Sequence, residues 1–198
     1  MYPPKIHQDN RKDHIIEVIK TYPLATLISV DNNLPIITHL PLIYDNGLLI
    51  GHIDIYNPQL SLLKDNQPVT VIFSGPQCYI SPSIYSTTQL PTWNYIKVHI
   101  TGSARVVKDK KALKSSLITM TELLESPNPK YVLKPDNPRM KKNLDYIEMF
   151  EISITNWEGK FKLSQDKKPK DMKAAREELS KIHQKEITRF LDKIFEES

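Results

Sequence analysis

Three runs rich in β-branched and aliphatic residues, Leu24 to Val30, Pro35 to Tyr44 and Leu48 to Ile53, follow one another across short polar turns at Asp31-Asn32-Asn33 and Asp45-Asn46-Gly47. A parallel strand pair needs a crossover of about a dozen residues or more, so this stretch closes only as an antiparallel meander. Further strands are predicted at Val69 to Ser74, at Gln77 to Ser81 after a Gly75-Pro76 turn, at Tyr95 to Val107 with a bend at Gly102, and at Ile147 to Thr155. Six or seven strands without alternation of strand and helix give a mainly β, α+β protein: an antiparallel barrel with peripheral helices.

The helices are marked by period and caps. Asp9 to Thr21 carries Ile15, Ile16, Val18 and Ile19 among charges, with Asp9 as N-cap. Asn57 caps a short turn opened by Pro58. Asp109 to Leu124 repeats its apolar residues at helical spacing, and a proline-rich excursion over 126–138 precedes a short helix at Arg139 to Asp145. Lys170 to Phe195 is amphipathic, with Leu179, Ile182, Phe190, Leu191 and Ile194 on one stripe. The 198 residues are thus divided into a barrel domain over 1–167 and a C-terminal helix over 168–198 that packs on the barrel or on a dimer partner. The single Cys78 forms no internal disulfide, and the first residues lack an apolar leader core, so a cytoplasmic protein is expected. From Lys160 onward 11 basic residues face 8 acidic ones, which puts the excess behind the net charge of +4 at the C-terminal end. Mixed signs on a helix read more often as a solvated face than as a polyanion contact.

Four polar clusters sit at strand ends or in connections. Thr38-His39-Leu40-Pro41 has a proline that suits a barrel mouth. His52 with Asn57-Pro58-Gln59 feeds a strand into a helical turn whose free amides suit either a phosphate or simple capping. Pro91-Thr92-Trp93-Asn94-Tyr95 places an amide between two aromatics, fit to flank a planar ring or to pack a tight turn. Glu158 to Gln165 reads as a glycine turn opening into Lys160, Lys162, Ser164 and Gln165, an anion cradle or a solvated strand end. No catalytic residue and no metal ligand set stands out. His39, His52 and His99 lie on separate strands, Cys78 lies in an apolar run, Ser81-Pro82-Ser83 lacks a glycine-flanked nucleophile turn, and only five glycines are present.

In order along the chain, Tyr2-Pro3-Pro4, Ala25-Thr26-Leu27, Thr38-His39-Leu40-Pro41-Leu42, Gly51-His52, Asn57-Pro58-Gln59, Tyr79-Ile80-Ser81-Pro82-Ser83, Pro91-Thr92-Trp93-Asn94-Tyr95, Val98-His99 and Gly159-Lys160-Phe161-Lys162-Leu163-Ser164-Gln165 resemble the PaiB family, the FMN-binding negative transcriptional regulators. The resemblance implies a split β-barrel of the pyridoxamine-oxidase-like, FMN-binding type and a homodimer with flavin mononucleotide near the subunit interface. It puts Thr38, His39, Asn57 and Gln59 near the phosphate and ribityl chain, and has Lys162, Ser164 and Gln165 close the same site. Trp93 and Asn94 meet the isoalloxazine ring. The wider oxidases often carry arginine on the phosphate strand, where this chain has His39. A regulatory role implies DNA or a regulatory protein as partner, though no helix-turn-helix is recognisable. Two other readings of such a barrel are a flavin-dependent oxidoreductase or flavin reductase, and a haem-binding protein using His39, His52 or His99.

Overall fold

A computed structural model describes residues 4–181. Six strands, β1 (Leu24–Asp31), β2 (Leu34–Asp45), β3 (Leu48–Asp54), β4 (Gln67–Ile80), β5 (Thr92–Val107) and β6 (Ile147–Lys162), form a closed barrel in the order β1-β2-β3-β6-β5-β4, every neighbouring pair antiparallel. The first three strands are the expected meander. Left-handed Asn32 and Asn33 make one turn and Asn46 with Gly47 the other, conformations that asparagine and glycine tolerate.

Three expectations change. Gly75-Pro76 does not turn the chain, because β4 runs through it: the β4–β5 register shifts between Ser74 and Gln77, a bulge that accommodates a proline with no N–H to give the ladder. Gly159 does not open a turn either. It lies inside β6, which continues to Lys162, paired opposite Val98. A side chain at Gly159 would strike the Asp9 carbonyl, and the bare backbone lets the N-terminal segment dock, with the Asp9 N–H donating to the Gly159 carbonyl at 3.1 Å. The first long helix, α1, is Lys12–Thr21 with Arg11 at its N-cap and no side-chain cap. Asp9 instead accepts from the Arg11 guanidinium, which holds its carboxyl well below the usual range, and contacts His14.

Alternation places Leu27, Leu42, Phe73, Val98, Ile100, Phe150 and Ile152 inside the barrel, where Ile15 and Ile19 of α1 join the same core. α2 (Lys110–Glu125), capped by the Asp109 side chain, covers the outside of β2, β3 and β6 through Leu113 and Met120 against Ile43, Ile50 and Met149. α3 (Pro138–Asn143) follows the proline-rich excursion. Residues 169–181 form helix α4, and its Ala175 and Leu179 pack on Cys78, Ile80 and Tyr85. Of its expected stripe, Ile182, Phe190, Leu191 and Ile194 lie outside the described residues. No described helix is long and apolar enough to cross a membrane.

His52 is sealed between β3 and α2. The Ser116 hydroxyl donates to the Leu113 carbonyl, so His52 Nε2 carries the proton that bridges to Ser116 Oγ at 2.8 Å. Burial lowers its pKa from 6.5 to about 4. The unfolded chain therefore takes up this proton below pH 6.5 while the folded protein resists it down to about 4. Stability falls as pH drops through that window, by about 2–3 kcal/mol from this group. In urea denaturation from pH 7.5 to 4, His52→Gln is expected to lose correspondingly less stability than the wild type.

Candidate functional site

β1 covers β4 only at Thr70 to Phe73, so the far ends of β4 and β5 extend beyond the pairing with β1, joined through Gln77 to Ile80 against Thr92 to Tyr95. β6 reaches this overhang at Lys162, opposite Tyr95, and the chain then turns sharply at Ser164, whose φ of 62° is left-handed. A serine held there is costly unless its surroundings fix it. They do so through a buried chain of hydrogen bonds. Ser164 Oγ donates to Asn94 Oδ1 at 3.1 Å, which spends its one proton, so the Tyr85 hydroxyl must donate to Ser164 Oγ at 2.9 Å. Asn94, 1 % exposed, is thereby oriented with its oxygen engaged.

Lys162 Nζ donates to Thr92 Oγ1 at 2.6 Å across the same overhang. Gln165 closes the turn with both ends of its amide. Its oxygen accepts from the Leu163 N–H at 2.7 Å, and its Nε2 donates to the Phe161 and Ile6 carbonyls, tying the N-terminal segment down. Around these groups lies a cavity of about 270 Å³ lined by His7, Thr92, Lys162, Ser164, Asp166 and Lys167, with Asn94 at its base. Burial lowers the His7 pKa, and repulsion from Lys162 and Lys160 lowers it further against the opposing pull of Asp166. Lys167 pairs with Asp166 at 2.7 Å, whereas Lys162 has no ion pair among the described residues.

Trp93 does not accompany Asn94 into it. Adjacent strand residues face opposite ways, and Trp93, 49 % exposed, stands outside beside Tyr79 with ring centroids 6.3 Å apart.

The remaining four expected residues gather at the β1–β2 end of the protomer. Asn57 caps the 3-10 turn Pro58–Leu63 through the Gln59 N–H and donates from Nδ2 to Thr38 Oγ1 at 3.1 Å. Gln59 is fully buried; its Nε2 donates to the Leu27 carbonyl, Ser29 Oγ and the Ile36 carbonyl, pinning this turn across the hairpin, and its Oε1 has no partner among the described residues. His39 is exposed on the opposite face, bonded to Thr26 Oγ1 across the ladder. His39 and His99 lie in one row across the outer wall, separated by Thr26 and Ile72, or about 14 Å at ordinary strand spacing. His52 is walled off behind α2. Among the described residues no three His, Cys, Asp or Glu side chains assemble a metal site.

A single protomer thus holds two separate groups, Lys162–Ser164–Gln165 with Asn94, and Thr38–Asn57–Gln59. Sequence reasoning missed His7, Tyr85 and Lys167. Thr92 stood inside a recognised motif, and Tyr85 follows another by two residues, but nothing local marks His7, which reaches the site because the N-terminal segment docks on Gly159 and Gln165. Lys162→Gln is expected to raise the His7 pKa part of the way back, leaving the share set by burial, as read by a proton NMR titration of the His7 ring.

The family described as "Putative FMN-binding domain" matches residues 1–156. "Protease synthase and sporulation protein PAI 2" of Bacillus subtilis (strain 168) is 32 % identical over 177 residues, covering 86 % of this chain and 85 % of that protein. Among solved structures, the "FAD and Heme binding protein from Mycobacterium smegmatis" aligns with a TM-score of 0.65 at 17 % identity, over 85 % of this chain and 80 % of that one. The "Flavocytochrome Anf3 from Azotobacter vinelandii" aligns with a TM-score of 0.61 at 16 % identity, over 78 % and 69 %. At such identities the structures speak for the barrel fold alone, whereas the match along the sequence carries the family: the chain belongs to the FMN-binding split-barrel proteins of PaiB type.

Proposed function

We propose that the protein binds flavin mononucleotide as a homodimer and uses the loaded barrel as a negative transcriptional regulator. The observation that carries the cofactor reading is the cationic cavity under the β5–β6 overhang. Lys162 supplies charge for a phosphate, Thr92 and Ser164 supply hydroxyls, and the left-handed turn at Ser164 holds these groups in place before any ligand arrives. Bound flavin would supply one- and two-electron chemistry, while the chain's own residues bind it, orient it and limit water. Asn94 borders this cavity, whereas Trp93, on the other face of β5, would meet a ring only from outside it.

The dimer explains why the expected residues fall into two groups. A second copy docked on the outer wall brings its Thr38, His39, Asn57 and Gln59 end toward the Lys162 end of the first. The β1–β2 hairpin leaves Leu24, Val30, Leu34 and Ile37 between 52 % and 67 % exposed, an apolar surface suited to such a partner. The regulatory role rests on the family resemblance and on the PAI 2 relative, with DNA or a regulatory protein as the second partner.

Protein purified without added cofactor is expected to show a flavin absorption spectrum or, when colourless, a melting temperature that rises with added flavin mononucleotide. Lys162→Glu is expected to weaken binding at least tenfold. A colourless protein whose melting ignores the cofactor would sink this reading. For regulation, electrophoretic shifts with the DNA upstream of its own gene are expected to survive physiological salt; retention that vanishes steeply with salt and is equal on unrelated DNA removes the DNA partner.

A further inference from the structure

A second cavity, about 700 Å³, lies between α4 and the β5–β6 overhang, within the size range of small-molecule sites. Ile96 and Leu163 form its strand wall, and Met172 and Leu179 its helix wall. Two cations, Lys173 and Arg176, line the same space, and neither has an ion pair among the described residues. Asn94 also borders it. Its oxygen accepts from Ser164, and among the described residues its Nδ2 makes no hydrogen bond, which leaves the amide a donor.

The helix that makes one wall is fixed in place. Asp171, 1 % exposed, accepts from the Ser86 N–H at 2.7 Å and from Thr87 Oγ1 at 3.2 Å, and Ala175 is buried against Cys78, Ile80 and Tyr85. Residues 172, 176 and 179 follow at helical spacing on the side turned toward the strands. The site therefore combines apolar walls, two positive side chains and an amide donor, with no carboxylate among the described residues that line it.

We infer that this cavity binds an organic acid with an apolar body, its carboxylate held by Lys173 and Arg176 and its apolar part laid between Ile96, Leu163, Met172 and Leu179. This goes beyond flavin binding and does not require it. Asn94 and Gln165 are shared with the flavin reading, but the two cations and the helix wall are not.

Octanoate and octylamine, equal in apolar length and opposite in charge, separate the possibilities in calorimetric titrations of the full-length protein, with and without added flavin mononucleotide. Octanoate is expected to bind with a sub-millimolar Kd in both preparations and octylamine at least tenfold more weakly. The double variant Lys173→Glu/Arg176→Glu is expected to lose at least tenfold in octanoate affinity while its melting temperature and flavin titration stay at wild-type values. Leu179→Trp, which fills the cavity, should also reduce binding, but the charge-reversal variant decides the question if that protein fails to fold. Absence of octanoate binding, equal binding of octylamine, or an unchanged double variant would each overturn the inference. Since octanoate binding and flavin binding are read separately, failure of one leaves the other standing.

Discussion

The long β5–β6 ladder is the constraint on which the rest depends. Each strand has 16 residues, and their register runs from Val107 opposite Met149 to Tyr95 opposite Lys162. Two strands of that length cannot stay flat around a small barrel, and they bend where the register shifts between Thr101 and Gly102. A side chain at Gly102 would meet the Ser153 carbonyl and Ile152, so the bend requires a bare backbone at the crossing. One end of the ladder closes the barrel and supports α2. The other outruns β1 and becomes the overhang that carries Asn94, Lys162 and Ser164.

That overhang is where packing gives way to binding. Inside the barrel, aliphatic residues are satisfied by one another, and the polar exception, Gln59, is used to pin a turn. Beneath the overhang the polar groups are linked in sequence: Tyr85 to Ser164, Ser164 to Asn94, Lys162 to Thr92. A buried chain of this kind fixes donor direction, and its cost is recovered only when every member is paired. Asn94, whose Nδ2 makes no hydrogen bond among the described residues, borders both cavities. The two spaces differ in character, one small and cationic, the other large and apolar with cations in its lining.

Much of the fold was legible in the chain because its signals are local. The meander, the Asn57 cap, the Asp109 cap and the bend at Gly102 each follow from a few neighbouring residues. The misreadings have two causes. Gly75-Pro76 and Gly159 look like turn signals, but a ladder on both sides can hold such residues within a strand as a bulge or a close approach. Asp9 looks like a helix cap, but an adjacent guanidinium competes for its carboxylate more strongly than backbone amides do. For the site, the motifs singled out Asn94, Lys162, Ser164 and Gln165, and the fold brings these four to one overhang. They did not reveal that Trp93 faces away, or that Gln59 is turned into the hairpin.

By itself, then, the sequence determined an antiparallel barrel and its family, since short turns forbid parallel crossovers and the ordered motifs span nearly the whole chain. Only the tertiary structure decided which side chains share a space. His7 and Tyr85 lie far from Ser164 along the chain, and Asp171 is far from Ser86. They meet because the closed barrel leaves β4, β5 and β6 projecting on one side, where the N-terminal segment and α4 fold back to cover what the ladder leaves bare.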